Sequence, residues 1–176
     1  MPQKRILPYV ILGILEKGDA TGKQITDEFK YEIGEFWKSS HSQIYPELKH
    51  MLTDGWIDSY QKKDNDKEIY YRPTNLGKEI IADWLATPVA KLPVSKDLFS
   101  LKVFFIKRAD DPRLKTLIAN QKKLVSQNLA HLKKREAELF DTAEKINHNY
   151  GHYLILQRAI SRQENQLAWL NQLTVC

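Results

Sequence analysis

Gln43 and Tyr45, with Ser42 before them and Lys49 and His50 after, fall on one side of a segment whose other side carries Ile44, Leu48, Met51 and Leu52. The aliphatic residues recur at i, i+4, i+7 and i+8, the spacing of one face of an α-helix, so the polar set is expected to face outward. A glutamine side chain offers a donor and an acceptor that match the edge of adenine, and serine and tyrosine hydroxyls can bond phosphate oxygens. The start of a helix also favours an anion. Pro46 is expected in the first turn, where its missing amide hydrogen costs little. Together these residues suit contact with duplex DNA. The structural alternative is that Tyr45 packs against a neighbouring helix while Gln43 is merely solvated.

A second group, Lys62, Lys63 and Lys67, brackets Asp64-Asn65-Asp66, a run with turn chemistry. Lysines at a hairpin tip could grip a nucleic-acid backbone without reading its sequence, although the two aspartates dilute the charge and a solvated turn is the simpler reading. His148 and His152 stand four apart, as a helical metal pair would, but Gly151 lies between them and no cysteine or carboxylate completes a ligand set nearby. No metal or other cofactor is therefore expected. The chain has no glycine-rich phosphate loop, no nucleophile elbow and no zinc signature, so catalysis is not expected either.

These groups need a scaffold, and the composition allows one. Of 176 residues, 42% are hydrophobic and 28% charged, ordinary values for a folded chain. The net charge of +5 is unevenly spread. Residues 1–86 hold 12 Lys/Arg against 14 Asp/Glu, net −2, and residues 87–176 hold 15 against 8, net +7. A DNA reader in the first half must therefore group its few cations on one face. The longest mostly apolar run, Ile6 to Leu15, is too short to cross a bilayer, so no membrane partner and a cytoplasmic location are expected. Cys176 is the sole cysteine, which rules out an internal disulfide.

Ile6, Leu7, Val10, Ile11, Ile14 and Leu15 repeat at helical spacing, and Gly18 follows at a C-cap-like position. Thr21 with Gln24 three residues on has capping-box spacing, and Ile25, Phe29 and Ile33 mark the buried side of a second helix. Ser39 or Ser40 can cap the third, which Gly55 closes. The period then changes: Trp56 to Gln61 and Glu68 to Arg72 are rich in aromatic and β-branched residues and predict a hairpin. A fourth helix is predicted over about Asn75–Ala86, capped by Thr74, with Leu76, Ile80, Ile81, Trp84 and Leu85 on one side. Three helices, a β-hairpin wing and a further helix make a winged helix-turn-helix, whose third helix is offered to the major groove. The expected class is thus mainly α, with this domain at residues 1–86.

Thr87 to Ser95 reads as an extended connector with two prolines, and residues 96–176 as a helical dimerisation domain. Within it Lys96 to Lys107 is apolar around most of its circumference and is expected to be well buried. A long helix opening at Asp110-Asp111-Pro112 carries Ile118, Val125, Leu132, Leu139 and Ile146 at intervals of seven. The intervening Gln121, Asn128, Arg135 and Thr142 are polar, so packing along a flanking stripe is expected rather than an isolated zipper. Asn147-His148-Asn149 breaks the pattern before a last helix, about Tyr150 to Leu173, that can form an antiparallel hairpin with it.

Phe36 to Ile57, FWKSSHSQIYPELKHMLTDGWI, resembles the recognition-helix region of PadR-type regulators. ILGIL and GDATGKQI near the start, YYRPTNLGKE after the hairpin, SKDLFSLKVFF after the connector and GHYLILQRAI near the end resemble the phenolic-acid-responsive branch, so the likeness spans essentially the whole chain. It implies a homodimer on double-stranded DNA, an operator of inverted half-sites, and repression released by a small aromatic acid such as p-coumarate or ferulate. It also implies that residues 96–176 are a sensor domain as well and that His152 and Tyr153 lie near the sensor pocket. Lys96 and Phe99 are parallel candidates, one supplying charge and the other an aromatic wall, because an aromatic acid needs its anion neutralised as its ring is buried. The connector is the expected moving part. A winged helix with a different signal, such as a multidrug sensor or a ligand-free activator, or one used for protein contacts, fits the same elements.

Replacing Lys62 and Lys63 together by alanine is expected to weaken binding to all DNA sequences alike. It should also flatten the plot of log affinity against log salt, by about 0.9 for each phosphate contact removed. An unchanged slope refutes the backbone role.

Overall fold

Pro8 opens the chain's first helix, α1 (Leu7–Leu15), where its fixed φ suits the turn and its missing amide hydrogen is not needed. The structure, a computed structural model, describes residues 5–31, 41–62, 65–91 and 97–173. The chain separates into two units, Met1–Leu92 and Pro93–Cys176. In the first unit α1 is followed by β1 (Ala20–Thr21), α2 (Gly22–Tyr31), α3 (His41–Thr53), β2 (Ile57–Lys62), β3 (Asn65–Pro73) and α4 (Asn75–Ala86). The sheet is antiparallel in the order β1-β3-β2. Tyr70 stands opposite both Thr21 and Tyr60, and the register slips between Gln61 and Lys62 near the wing tip.

The elements end where their sequences say they should. Thr21 and Gln24 form the reciprocal capping box: the Thr21 amide donates to Gln24 Oε1 at 2.8 Å, and the Gln24 amide donates to Thr21 Oγ1 at 3.2 Å. Gly55, at φ +71°, closes α3 in a Schellman motif, its amide bonding Leu52 O at 3.2 Å and the Trp56 amide bonding Met51 O at 2.9 Å. Thr74 caps α4 by accepting from the Gly77 amide, and its hydroxyl donates to Gly55 O at 2.7 Å. One threonine therefore ties the start of α4 to the end of α3. Gly77 is required there, because a Cβ at that position would sit 2.1 Å from Trp56 O.

The core of this unit joins α1, α2, α3 and β2 through Ile11, Leu12, Leu15, Ile25, Ile44, Leu48, Met51 and Ile57, with Ile81 of α4 closing it. Three sequence expectations fail here. Leu52 is exposed, as are Leu76, Trp84 and Leu85, so α3 and α4 bury narrower stripes than their apolar residues suggest. Each of these helices meets the core along a single seam; Trp84 instead stacks at 5.3 Å on Tyr9 at the surface. β1 was not foreseen, since two residues carry no periodicity and exist as a strand only by pairing with β3. Pro46 lies well inside α3 rather than in its first turn, because the helix already runs from His41, and it removes the amide that would ordinarily bond the Ser42 carbonyl. Ile33, Ser39 and Ser40 lie outside the described residues.

The second unit is helical: α5 (Leu98–Phe104), α6 (Pro112–Leu139), α7 (Ala143–His148) and α8 (Tyr150–Gln172). Asp97 caps α5 by accepting from the Phe99 and Ser100 amides, and Asp111 caps α6 by accepting from the Arg113 amide at 2.9 Å. The Arg113 guanidinium also clasps the Asp111 carboxylate and lowers its pKa to about 2. α6 and α8 pack as an antiparallel pair, with Lys133 bonded to Glu164 at 2.7 Å and Gln157 bonded to Glu136. Two apolar clusters lie along this pair. Phe99, Ile118, Val125 and Leu170 form one, and Leu132, Phe140, Leu156 and Ile160 form the other.

Two further expectations are corrected. The predicted single helix reaching Ile146 stops at Leu139: Phe140 leaves helical geometry at φ −129°, ψ 39°, and Thr142 caps a new short helix by accepting from the Lys145 amide. The break turns the Phe140 ring inward against Leu156 and Ile160, and burial of one phenylalanine contributes about 1.5–3 kcal/mol. The segment around α5 is not well buried. Phe99 enters the core and Val103 packs partly against it, while Leu98, Leu101, Phe104 and Phe105 are 54–74% exposed. A lone helix laid on a two-helix surface buries one stripe, and an all-apolar circumference leaves the rest uncovered.

The glycines separate two effects. Gly77→Ala should lower stability by about 2–3 kcal/mol, because the clash is with backbone that cannot move aside. Gly13→Ala, with nothing within 4 Å of its new Cβ, should raise stability by about 0.5–1 kcal/mol through the helical preference of alanine. Urea unfolding midpoints of the two variants check both signs.

Candidate nucleic-acid interface

The rotation of α3 follows from three side chains. Ile44, Leu48 and Met51 are at most 1% exposed, and a helix with that seam sealed must turn the opposite side outward. Ser42, Gln43, Tyr45, Lys49 and His50 all lie on the exposed side of the helix. Of the expected reading residues, the structure thus brings these five onto one surface. Lys49 and His50 stand at its C-terminal half, where Thr53 Oγ1 donates back to Lys49 O at 3.1 Å.

Tyr45 is both exposed and packed on a neighbouring helix. Its side chain is 42% exposed, yet one ring edge rests on the first residue of α2: a Cβ on Gly22 would lie 2.7 Å from Tyr45 Cε1. A glycine at this point is what lets that edge of the ring approach the neighbouring helix so closely. The ring is then fixed along one edge and open along the other. The Tyr71 phenol beneath is raised above its ordinary pKa, chiefly by burial and further by Tyr45.

The wing is built on the even-numbered face of its hairpin. Tyr60 and Tyr70 are opposite in register and their rings stack at 5.8 Å. The Lys62 ammonium lies 4.0 Å from the centre of the Tyr70 ring, and the Arg72 guanidinium lies 5.5 Å from that of Tyr60. Such cation–π contacts hold a cation in place while leaving its charge exposed. Arg72 also faces Asp58 at 3.9 Å. The Tyr60 hydroxyl donates to Asp19 Oδ2 at 2.7 Å, a bond that raises the phenol's pKa and ties the wing to the α1–β1 turn. Lys67 is exposed on β3, and Lys63 lies outside the described residues. Sequence reading passed over Tyr60, Tyr70 and Arg72. Their signal was the alternation of 58, 60, 62 with 68, 70, 72, which has meaning only once the hairpin register is known.

In the helical unit the candidate effector residues do not converge. Phe99 packs edge-on against Trp169 at 6.4 Å. His152 and Tyr153 instead meet the Phe140 ring, each at 5.4 Å and close to perpendicular. Trp169 is 17 residues beyond His152 on one continuous helix, roughly 25 Å along the axis. A single-ring acid cannot touch both groups within one chain. Lys96 lies outside the described residues, as does Cys176. A cleft of about 570 Å³ does open beside Phe99, between α5, α6 and α8, and Lys102 and Arg162 line it. Among the described residues no group of three His, Cys, Asp or Glu is placed to hold a metal, and no helix is long and apolar enough to cross a membrane.

A sealed third helix, a three-stranded sheet with an extended hairpin, and a fourth helix tied to both define a winged helix-turn-helix DNA-binding unit. Comparison with known proteins agrees. Residues 11–83 match the transcriptional regulator PadR-like family, and residues 95–174 match the virulence activator alpha C-terminal family. The chain is 35% identical over 175 residues to the negative transcriptional regulator PadR of Bacillus subtilis (strain 168), covering 96% of each. The structure of B. subtilis PadR in complex with operator DNA superposes with a TM-score of 0.83 at 34% identity over 96% of each chain. That of the same protein in complex with p-coumaric acid gives 0.83 at 35% identity over 95% of each. The chain belongs to the PadR family and is a transcriptional repressor of that type, not an enzyme.

Gly22→Ala is expected to push the Tyr45 ring off the start of α2, since a flexible side chain is what the new methyl meets. Stability should change by less than about 0.5 kcal/mol, while the Tyr45 ring resonances shift in NMR spectra. Unmoved resonances would show that the ring is not held there.

Proposed function

We propose that the chain acts as a homodimer that binds an inverted-repeat operator through two copies of α3 and two wings, and that a small phenolic acid such as p-coumarate or ferulate releases it. Ser42, Gln43, Tyr45, Lys49 and His50 read or grip the major groove, Gln43 by paired bonds to an adenine and Tyr45 through the open edge of its ring. Lys62, Lys63 and Lys67 hold the backbone beside each half-site. The observation that carries this reading is the sealed seam of α3, which turns its polar side outward on an otherwise acidic half of the chain. Support for the operator and the signal comes from B. subtilis PadR, whose structures are in complex with operator DNA and with p-coumaric acid.

Dimerisation has its own argument. Leu98, Leu101, Phe104 and Phe105 on one short segment, with Leu124 and Trp169 on the neighbouring helices, leave the second unit with more exposed apolar side chain than an isolated domain carries. A second copy of the same unit would cover it. The two recognition helices must then stand about one DNA turn apart, ~34 Å, to enter successive major grooves.

Electrophoretic mobility shift with an inverted-repeat fragment, with and without p-coumarate, tests the whole reading. The wild type should bind as a dimer and be released by the acid. Gln43→Ala should lose about 1–3 kcal/mol on the cognate site and little on random DNA. Retention of full cognate affinity by Gln43→Ala removes its reading role, and an operator complex indifferent to p-coumarate removes the phenolic signal.

A further inference from the structure

The reading helix carries carboxylates on the same flank as two of the residues proposed to read DNA. Gln43, Glu47, His50 and Asp54 follow one another at i, i+4, i+7 and i+11, a single stripe along a helix. α3 ends at Thr53, but the Asp54 amide bonds His50 O at 2.8 Å, so the stripe holds for one residue more. Two negative charges on a surface that approaches phosphates oppose binding. Arg5, which precedes α1, meets both of them. Its guanidinium donates to the Glu47 carboxylate and lies 3.8 Å from that of Asp54.

We infer that Arg5 is a positioning residue for operator binding, its cation cancelling the charge of Glu47 and Asp54 so that the Gln43–His50 flank of α3 can approach DNA. The inference rests on the reading role proposed for α3 and adds to it a residue from outside that helix.

Glu47 is the carboxylate that most needs a partner. Its side chain is 12% exposed, against 41% for Asp54, so water screens Asp54 well and Glu47 poorly. An uncancelled charge at Glu47 is therefore felt by whatever meets the neighbouring Gln43 and His50. Lys49 cannot cancel it, because two positions turn a side chain about 200° around a helix. Glutamate can also read a cytosine amine, but here its carboxylate is bonded to Arg5 and largely covered. The competing explanation is that the pair serves the fold. Ion pairs at a surface add little to stability, so loss of this one should show in DNA binding and not in unfolding.

Fluorescence anisotropy on the full chain, with a labelled inverted-repeat duplex that the wild type shifts, tests the assignment over a series of salt concentrations. The variants are Arg5→Gln, Glu47→Gln, the two combined, and Gln43→Ala, with thermal unfolding as the check on folding. Arg5→Gln should bind about tenfold more weakly at low salt, and the loss should shrink as salt screens the carboxylates. Glu47→Gln should change the wild type by less than about twofold, its charge being already cancelled, yet restore most of the affinity that Arg5→Gln loses. An Arg5→Gln variant that binds like the wild type overturns the proposal. So does a loss that Glu47→Gln fails to restore, because Arg5 then acts on DNA directly or through the fold. If Gln43→Ala weakens binding while Arg5→Gln does not, α3 still reads DNA and only the role of Arg5 falls. If neither weakens it, both the reading flank and the role of Arg5 fall.

Discussion

Everything that a PadR-type reader can do depends on the seam at which α3 meets its own domain. Ile44, Leu48 and Met51 are sealed, each such burial contributing about 1.5–3 kcal/mol. Successive residues of a helix differ by 100° in direction, so a slip of one position would bury Gln43 or Tyr45 and expose an isoleucine. Several kcal/mol therefore stand behind the outward orientation of five polar side chains that contribute little to folding themselves. Their identity is free to follow the DNA, because the aliphatic side alone decides how the helix sits.

The wing is joined to that helix by a short run of backbone with almost no slack. Gly55 turns the chain in left-handed geometry, Trp56 bonds back to Met51, Thr74 bonds forward to Gly55, and Gly77 rides against the Trp56 carbonyl. The end of α3, the root of the hairpin and the start of α4 thus move as one piece. The Tyr60–Asp19 bond fixes the hairpin on its other side. The reading helix and the wing are in consequence held at a fixed spacing within the chain.

Much of this was legible in the residues because the relevant signals are local. The Thr21–Gln24 capping box, the Thr74 cap, the glycine closing α3 and the change of period at Trp56 each depend on neighbours a few positions away. What was missed depends on distant chain. β1 exists only against β3, and the Tyr60–Tyr70–Arg72 face exists only in one register. The seven-residue column running to Ile146 is real as a pattern, but Phe140 gains more by turning into the cluster with Leu156 and Ile160 than by continuing the helix. The apolar circumference of α5 marks residues that avoid water without naming what covers them, so burial within one chain was the wrong inference from a correct observation. Likewise Lys102 and Arg162 are 60 positions apart in sequence, and only the packing of α5 and α8 on α6 makes them one feature.

The charge imbalance between the halves bears on how such a repressor can be released. The reading half is net −2, so its hold on DNA comes from a few placed contacts rather than from bulk attraction. Contacts of that kind are sensitive to geometry, because each requires its partner within hydrogen-bonding distance on a duplex whose half-site spacing is fixed. In the repressor proposed above, an effector would need only to favour a dimer whose two α3 helices no longer match one helical turn, and its differential affinity for the two arrangements would limit how far it could shift them. The net +7 of the other half is not needed for the reading helix, and in the proposed repressor it would favour an anionic signal over a cationic one.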